Sequence, residues 1–396
     1  MLSPSYPVPE NDGAKRRISA FAHRLAIRHE LPLVALRDRS PGGSGVVEGP
    51  LPWEEHVFDN TVRSRGAMLR SLVSGRSYRE LRFWDGKCAA KVRHLLESAT
   101  FDLVWVNFLT MSTYLPPFAA CPGGPVLVLD QHNVDEMVWS SLGGGRRNLA
   151  WRAFGALQVA KLRTYQRRWF PRYDLVLSVA PEDAAVTARY VDPSKVRLAP
   201  NGVDIDYFRP QARRGDGARL VFGASMDVAM NQDAAMWFAR SVLPVVRREV
   251  PEVEFWIVGR NPPGGVRRLE QLPGVTVTGT VPDVRPYYRD ADVFVVPTRL
   301  GGGTKLKTLE GMAMQLPVVA TSVGAQGLNV RNGEHLFIAD APEEFAGHVV
   351  SLLRDRHSAA SLAGAARRLV EREYGWDRIV ADVEADLAAL VQGRRR

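Results

Sequence analysis

At 396 residues, 45% hydrophobic and 24% charged, the chain exceeds what one hydrophobic core usually supports and is predicted to form two domains. Two cysteines, Cys88 and Cys121, without a CxxC spacing, no long apolar run and no leader pattern after Met1 argue against a disulfide scaffold, a thiolate metal centre and a spanning helix, and predict a cytoplasmic protein. The net charge of +9 is concentrated in residues 1–200, with 27 Lys+Arg against 19 Asp+Glu, which fits either an anionic partner or an arginine-rich solvated surface.

In chain order, the first expected element is already irregular. A strand ahead of the turn Tyr6–Gly13 needs about five residues, yet only Met1-Leu2-Ser3 precede Pro4. A clipped strand, or a start codon placed too far downstream, is the expectation. Near-continuous apolar runs then mark buried strands at 31–36, 102–108, 125–131 and 174–180. Arg-rich helical stretches separate them at 61–97 and 146–170. Segment 198–210, LAPNGVDIDYFRP, is dense in turn formers and reads as a hinge, with the domain boundary near Pro210. Beyond it, runs at 219–224, 253–259, 275–281, 292–298, 317–323 and 335–339 alternate with helical patterns such as Asp233–Glu249 and Thr304–Met314. That alternation predicts an α/β fold, a parallel sheet with helices on both faces. An amphipathic helix, Trp376–Val391, follows the second sheet.

The segment PTRLGGGTKLKTLEGMAMQLPVVAT (297–321) carries the strongest chemical signal. It leaves a strand, turns through Gly301, Gly302 and Gly303, and opens a helix at Thr304. Glycines let a ligand approach the main chain, and a helix N-terminus suits a phosphate. Lys305 and Lys307 add cations in the first turn, where the helix dipole disfavours them, a violation that a bound anion relieves. Glu310 lies near the same mouth, where a carboxylate accepts from ribose hydroxyls. The plain alternative is a tight turn with solvated lysines.

This stretch resembles the nucleotide-sugar site of glycosyltransferase family 4, retaining enzymes of GT-B architecture, and the resemblance extends along nearly the whole chain. PSYPVPENDGAKRRI (4–18) resembles that family's first loop, with Gly13 as the glycine that admits a donor phosphate. VLDQHNVDE (128–136) resembles the segment bearing an active-site histidine, here His132; PNGVD (200–204) the hinge motif; and GTVPDV (279–284) the loop beside the nucleotide base. The resemblance implies two Rossmann-like domains, 1–209 on the acceptor side and 210–375 for the nucleotide sugar, with an inter-domain cleft and a terminal helix, 376–396, crossing back to the first. It implies His132, Glu310 and Lys307 as catalytic residues. Donor contacts would come from Gly13, Val281, Asp283, Gly301, Gly302, Gly303, Thr304, Lys305 and Leu306, with the nucleotide sugar as substrate and no metal required.

Two departures stand out. The family's paired glutamates, seven residues apart, match Glu310 but place Gly302 at the first, as in a Gly-rich subgroup. Asn231 and Gln232 stand where a Lys-Gly is common, leaving the phosphate charge to Lys307, Lys305 and Arg260. His132 follows an apolar strand at the sheet's ligand-binding edge, where a neutral imidazole would donate to the sugar or orient the acceptor. The stretch 146–172 holds eight basic and no acidic residues interleaved with aromatics. It fits an anionic membrane surface, as for a peripheral enzyme with a lipid-linked or polysaccharide acceptor, or else a core helix with a solvated arginine face. No nucleic-acid-binding module is recognised. A nucleotide-sugar 2-epimerase and a non-catalytic nucleotide-binding partner subunit share the architecture and are the rival functions.

Overall fold

A computed structural model describes every residue except 11, 39–50, 61–63, 121–122, 137–138, 140–148, 213–216, 302 and 396. The chain divides into two compact units, Met1–Pro200 with Val380–Arg396, and Asn201–Ile379. Each is an α/β unit on a parallel sheet.

The first unit contains β1 (Leu2–Ser3), β2 (Pro32–Asp38), β3 (Glu54–Asn60), β4 (Leu103–Asn107), β5 (Val126–Gln131), β6 (Leu175–Ser178) and β7 (Val196–Leu198), in the order β3-β2-β1-β4-β5-β6-β7. The short leading strand is in place. Leu2 pairs with Val34 of β2 and Val106 of β4, and both neighbours are buried. The stretch 61–97 departs from a single helical run and forms three helices, Ser64–Val73, Tyr78–Arg82 and Gly86–Ser98. Polar caps divide it: Ser77 forms a capping box with Glu80, and Asp85 accepts from the Cys88 N–H.

The second unit contains β8 (Arg219–Gly223), β9 (Glu254–Val258), β10 (Val275–Gly279), β11 (Val293–Val296), β12 (Val318–Ala320) and β13 (Phe337–Ile338), in the order β10-β9-β8-β11-β12-β13. The residues of β11 and β12 are all buried, which explains their unbroken Val/Phe/Ala runs. The helix expected at 233–249 begins earlier, at Ala229, and passes through a π-helical turn at Phe238–Val242 just ahead of Pro244. Proline supplies no N–H there, so the helical ladder must adjust. The last helix, Trp376–Arg395, starts in the second unit, and from Val380 its residues group with the first.

Candidate functional site

In the second unit the strand order reverses between β8 and β11, which run side by side with Leu220 opposite Val293. The crevice beyond the carboxyl ends of such a pair is where open α/β sheets bind ligands. Two loops border it, 224–228 after β8 and 297–305 after β11.

The second loop needs its glycines. Gly301 and Gly303 have φ of 94° and 72°, and a Cβ on Gly301 would sit 2.1 Å from Met230 Sδ. Gly302 lies outside the described residues. The helix opens at Leu306 rather than Thr304, so Lys305 is its N-cap instead of a first-turn residue, and no side chain caps it. Within the first turn the Thr308 N–H donates to the Lys305 carbonyl at 2.9 Å.

Lys307 reaches from this turn to the other loop's helix. Its Nζ donates to Asn231 Oδ1 at 2.6 Å and lies 5.2 Å from the centre of the Phe222 ring. Asn231 is held in turn by donating to the Ser225 carbonyl at 2.8 Å. Lys305 is 8% exposed and donates to the Gly303 carbonyl at 3.1 Å. Burial lowers both lysines to about 8, and for Lys307 the neighbouring Lys305 charge adds to the effect. The Thr304 hydroxyl is also buried and has no partner among the described residues. Two desolvated cations and an orphaned hydroxyl converge on one turn.

Glu310, one turn further along, is buried and accepts from the Tyr288 hydroxyl at 3.3 Å. That hydroxyl passes over the end of β8, where a Cβ on Gly223 would come within 1.8 Å of it. Asp283 is engaged from two sides. Arg285 Nε donates to both its oxygens at 3.0 Å, and the Tyr207 hydroxyl donates to Oδ1 at 3.2 Å. Arg285 thereby holds this carboxyl below its ordinary value, and its guanidinium lies 4.0 Å over the Tyr207 ring. Val281 is half-buried against the core beneath. Arg260 donates to Ser225 Oγ at 2.6 Å and pairs with Asp227, so it braces the loop after β8. Sequence reasoning missed Tyr207, Tyr288 and Arg285. No local pattern marks them, because each acts on a residue brought near only by the fold or by a loop turn.

The remaining expected residues lie in the first unit. Gly13 opens the helix Gly13–Ala26, capped by Asp12, which accepts from the Lys15 N–H at 2.9 Å. Within that helix Arg17 is fully buried and grips Asp130, with Nε at 2.9 and 3.0 Å and Nη2 at 2.7 Å from its oxygens. Asp130 near the end of β5 then faces His132, whose Nε2 lies 3.2 Å from Oδ2 and 3.4 Å from Asn107 Oδ1. Asn107 cannot turn away, because its own amide donates to the Leu2 carbonyl at 3.1 Å.

Two acceptors at Nε2 place the imidazole proton there, leaving Nδ1 as a buried acceptor with no partner among the described residues. Burial lowers the His132 pKa against the raising effect of Asp130, so the ring is neutral. For Asp130, burial raises and the Arg17 and His132 charges lower, and the net result is about 2. The geometry thus gives His132 an accepting rather than a donating free nitrogen. Phe108 packs on the ring at 4.1 Å with φ of 62°, a strained backbone of the kind found beside functional groups. A separate concavity of about 650 Å³ opens at the opposite, amino-terminal edge of this sheet, lined by residues such as Thr100, Gly124 and Arg394, away from these side chains.

Family models match both units: one described as Glycosyltransferase Family 4 over residues 11–207, and one as Glycosyl transferases group 1 over 217–355. The chain is 25% identical, over 98% of its length and 96% of the relative's, to a GDP-mannose-dependent alpha-(1-6)-phosphatidylinositol monomannoside mannosyltransferase of Mycolicibacterium smegmatis. Against other curated relatives it spans about half their length, 44% for an uncharacterised Klebsiella pneumoniae protein and 54% for a Thermomonospora curvata D-inositol 3-phosphate glycosyltransferase. Its fold matches sucrose-phosphate synthase from Thermosynechococcus elongatus with a TM-score of 0.71 at 16% identity, covering 99% of both chains. It also matches Anabaena Alr3699/HepE, solved in complex with UDP, with a TM-score of 0.67 at 14% identity over 98% of this chain and 99% of that one.

Proposed function

The chain belongs to glycosyltransferase family 4 and is a glycosyltransferase of GT-B fold, and from that premise we propose that its second unit binds the diphosphate of a nucleotide sugar beyond β8 and β11. The observation that carries this reading is the pair of desolvated lysines, buried Lys305 and half-buried Lys307, with Lys307 aimed by Asn231. A diphosphate supplies the counter-charge that burial makes costly to lack. The backbone of Gly301, Gly303, Thr304 and Leu306 faces its oxygens, and the orphaned Thr304 hydroxyl gains an acceptor. Glu310 accepts from the ribose hydroxyls, and Val281 and Asp283 flank the base.

Transfer then proceeds with retention of configuration and without a metal. As the sugar–phosphate bond breaks, charge grows on the leaving diphosphate, and Lys307 with the helix N-terminus stabilises it. The same phosphate takes the proton of the incoming hydroxyl. In the first unit Gly13 offers a backbone N–H to an oxygen, and His132 accepts from a sugar hydroxyl through Nδ1. The acceptor is a lipid-linked glycan or a polysaccharide, as the phosphatidylinositol mannoside of the relative's name suggests. The basic stretch 146–172 then meets the anionic membrane surface that carries it. Among the described residues no helix is long and apolar enough to cross a membrane, which leaves peripheral contact as the mode of attachment proposed.

The test is a thermal-shift series with UDP, GDP, TDP and ADP on the wild type, Lys307→Ala and Glu310→Ala. A ligand at a hundred times its dissociation constant adds about 2.7 kcal/mol of stability. One diphosphate is expected to stabilise the wild type and to lose most of that effect in both variants. An undiminished shift in Lys307→Ala would remove the diphosphate from this turn.

A further inference from the structure

We propose that the helix Ser64–Val73 is the edge by which the first unit seats on an anionic lipid surface. This rests on the membrane reading of the basic stretch given above, and adds an apolar anchor on a neighbouring helix to the exposed Leu149 and Trp151 of that stretch.

The helix is inside out. It buries its small residues, Ala67 and Ser71, and leaves Leu69, Leu72 and Val73 at 67%, 52% and 90% exposure. An ordinary surface helix does the reverse. At about 100° per residue the three large side chains form one stripe, centred about half a turn around the helix from Ala67 and Ser71. Nor is this a loosely held end. Gln158 of the helix Leu149–Trp169 donates to Ser71 Oγ at 3.2 Å, and Lys161 donates to the carbonyls of Ser71 and Ser74. The buried face is thereby pinned, and the apolar stripe is held outward. A contiguous apolar patch presented in this way marks a surface that something else covers.

Charge identifies the occupant. Arg65 lies one turn before Leu69 on the same stripe, Arg70 flanks it, and Arg76 follows just beyond; all three are exposed. Neither Arg65 nor Arg70 pairs with a carboxylate among the described residues. No Asp or Glu occurs between Asn60 and Glu80, and none in the supporting helix, which adds the exposed Arg152, Arg167 and Arg168, while its Lys161 is held by the Ser71 and Ser74 carbonyls and its Arg163 by Glu136. Leucine and valine tips bordered by unpaired arginines suit the boundary between acyl chains and anionic headgroups. A second copy of the chain is a poor occupant, because a two-fold contact would set Arg65 and Arg70 against their own images.

The experiment is vesicle co-sedimentation of the full chain, with phosphatidylglycerol-containing and pure phosphatidylcholine vesicles compared. Wild type is expected to partition at least about ten-fold more strongly to the anionic vesicles. The triple variant Leu69→Ser/Leu72→Ser/Val73→Ser should lose about ten-fold of that binding with an unchanged thermal midpoint, since the replaced side chains are exposed. Arg65→Gln/Arg70→Gln should weaken binding to anionic vesicles as well. The proposal is overturned if wild type binds neither vesicle, if the triple variant binds as well as wild type, or if that variant merely converts a dimer to a monomer. The thermal-shift series with the four nucleoside diphosphates, run on the same samples, reports the donor site separately. Its absence would count against the diphosphate reading and leave the vesicle result standing.

Discussion

Burial disfavours the charged forms of Lys305 and Lys307 and lowers both to about 8, against a raising effect of Glu310 on Lys307. On the proposed reading a diphosphate binds the protonated pair, so binding and protonation support each other. The sign follows: affinity for whichever nucleoside diphosphate stabilises the protein is expected to fall as the pH rises through about 8, toward the ordinary lysine range. Calorimetric titration on both sides of pH 8 measures this, and a dissociation constant flat across that interval would mean the lysines do not face the phosphates. His132 works in the opposite sense. Its burial beside an Asp130 already paired with Arg17 keeps it uncharged, so in the proposed sugar contact its part is geometric, through a fixed tautomer.

At the scale of elements, β8 ends in glycine for a reason that reaches the site: the Tyr288 hydroxyl crosses that position to meet Glu310. Gly223→Ala is expected to destabilise the protein by about 1–3 kcal/mol and to weaken diphosphate binding. Tyr288→Phe in the same chain should restore part of the stability, because it removes the atom that collides. Denaturant titration of the four members of this cycle is the measurement, and strict additivity would sink the contact. Much of this scale was legible in the sequence. The strands of the second unit stood out because most are buried on both faces and read as unbroken apolar runs. β3 and β7 did not, being edge strands with mostly half-exposed or exposed residues. β1, two residues long, offers no periodicity to read. The glycine turn and its lysines were readable because they are contiguous. The Tyr288–Glu310, Lys307–Asn231 and Arg17–Asp130 contacts span 22, 76 and 113 residues, and only the folded chain brings them together.

At the scale of the whole molecule, the final helix is divided between the two units. Val380, Val383 and Leu387 are buried, Arg394 donates to the carbonyls of Gly124 and Pro125, and Arg395 pairs with Asp102, all within the first unit. Val383→Asp is expected to cost on the order of 2 kcal/mol or more, since it buries a charge without a partner. Hydrogen exchange should then speed up in β5 and β6 while β8 and β11 stay protected; uniform loss of protection would contradict the division. The same arrangement sets an order of events during synthesis. Residues 1–200 leave the ribosome first, yet the piece that completes their unit, Val380–Arg396, is made only after all of Asn201–Ile379. At about 5–20 residues per second the nascent first unit waits on the order of ten seconds or more for its last helix. During that interval the surfaces that Val380, Val383 and Leu387 will cover lie open to chaperones and proteases, and a chain halted before Val380 would be a natural target for clearance.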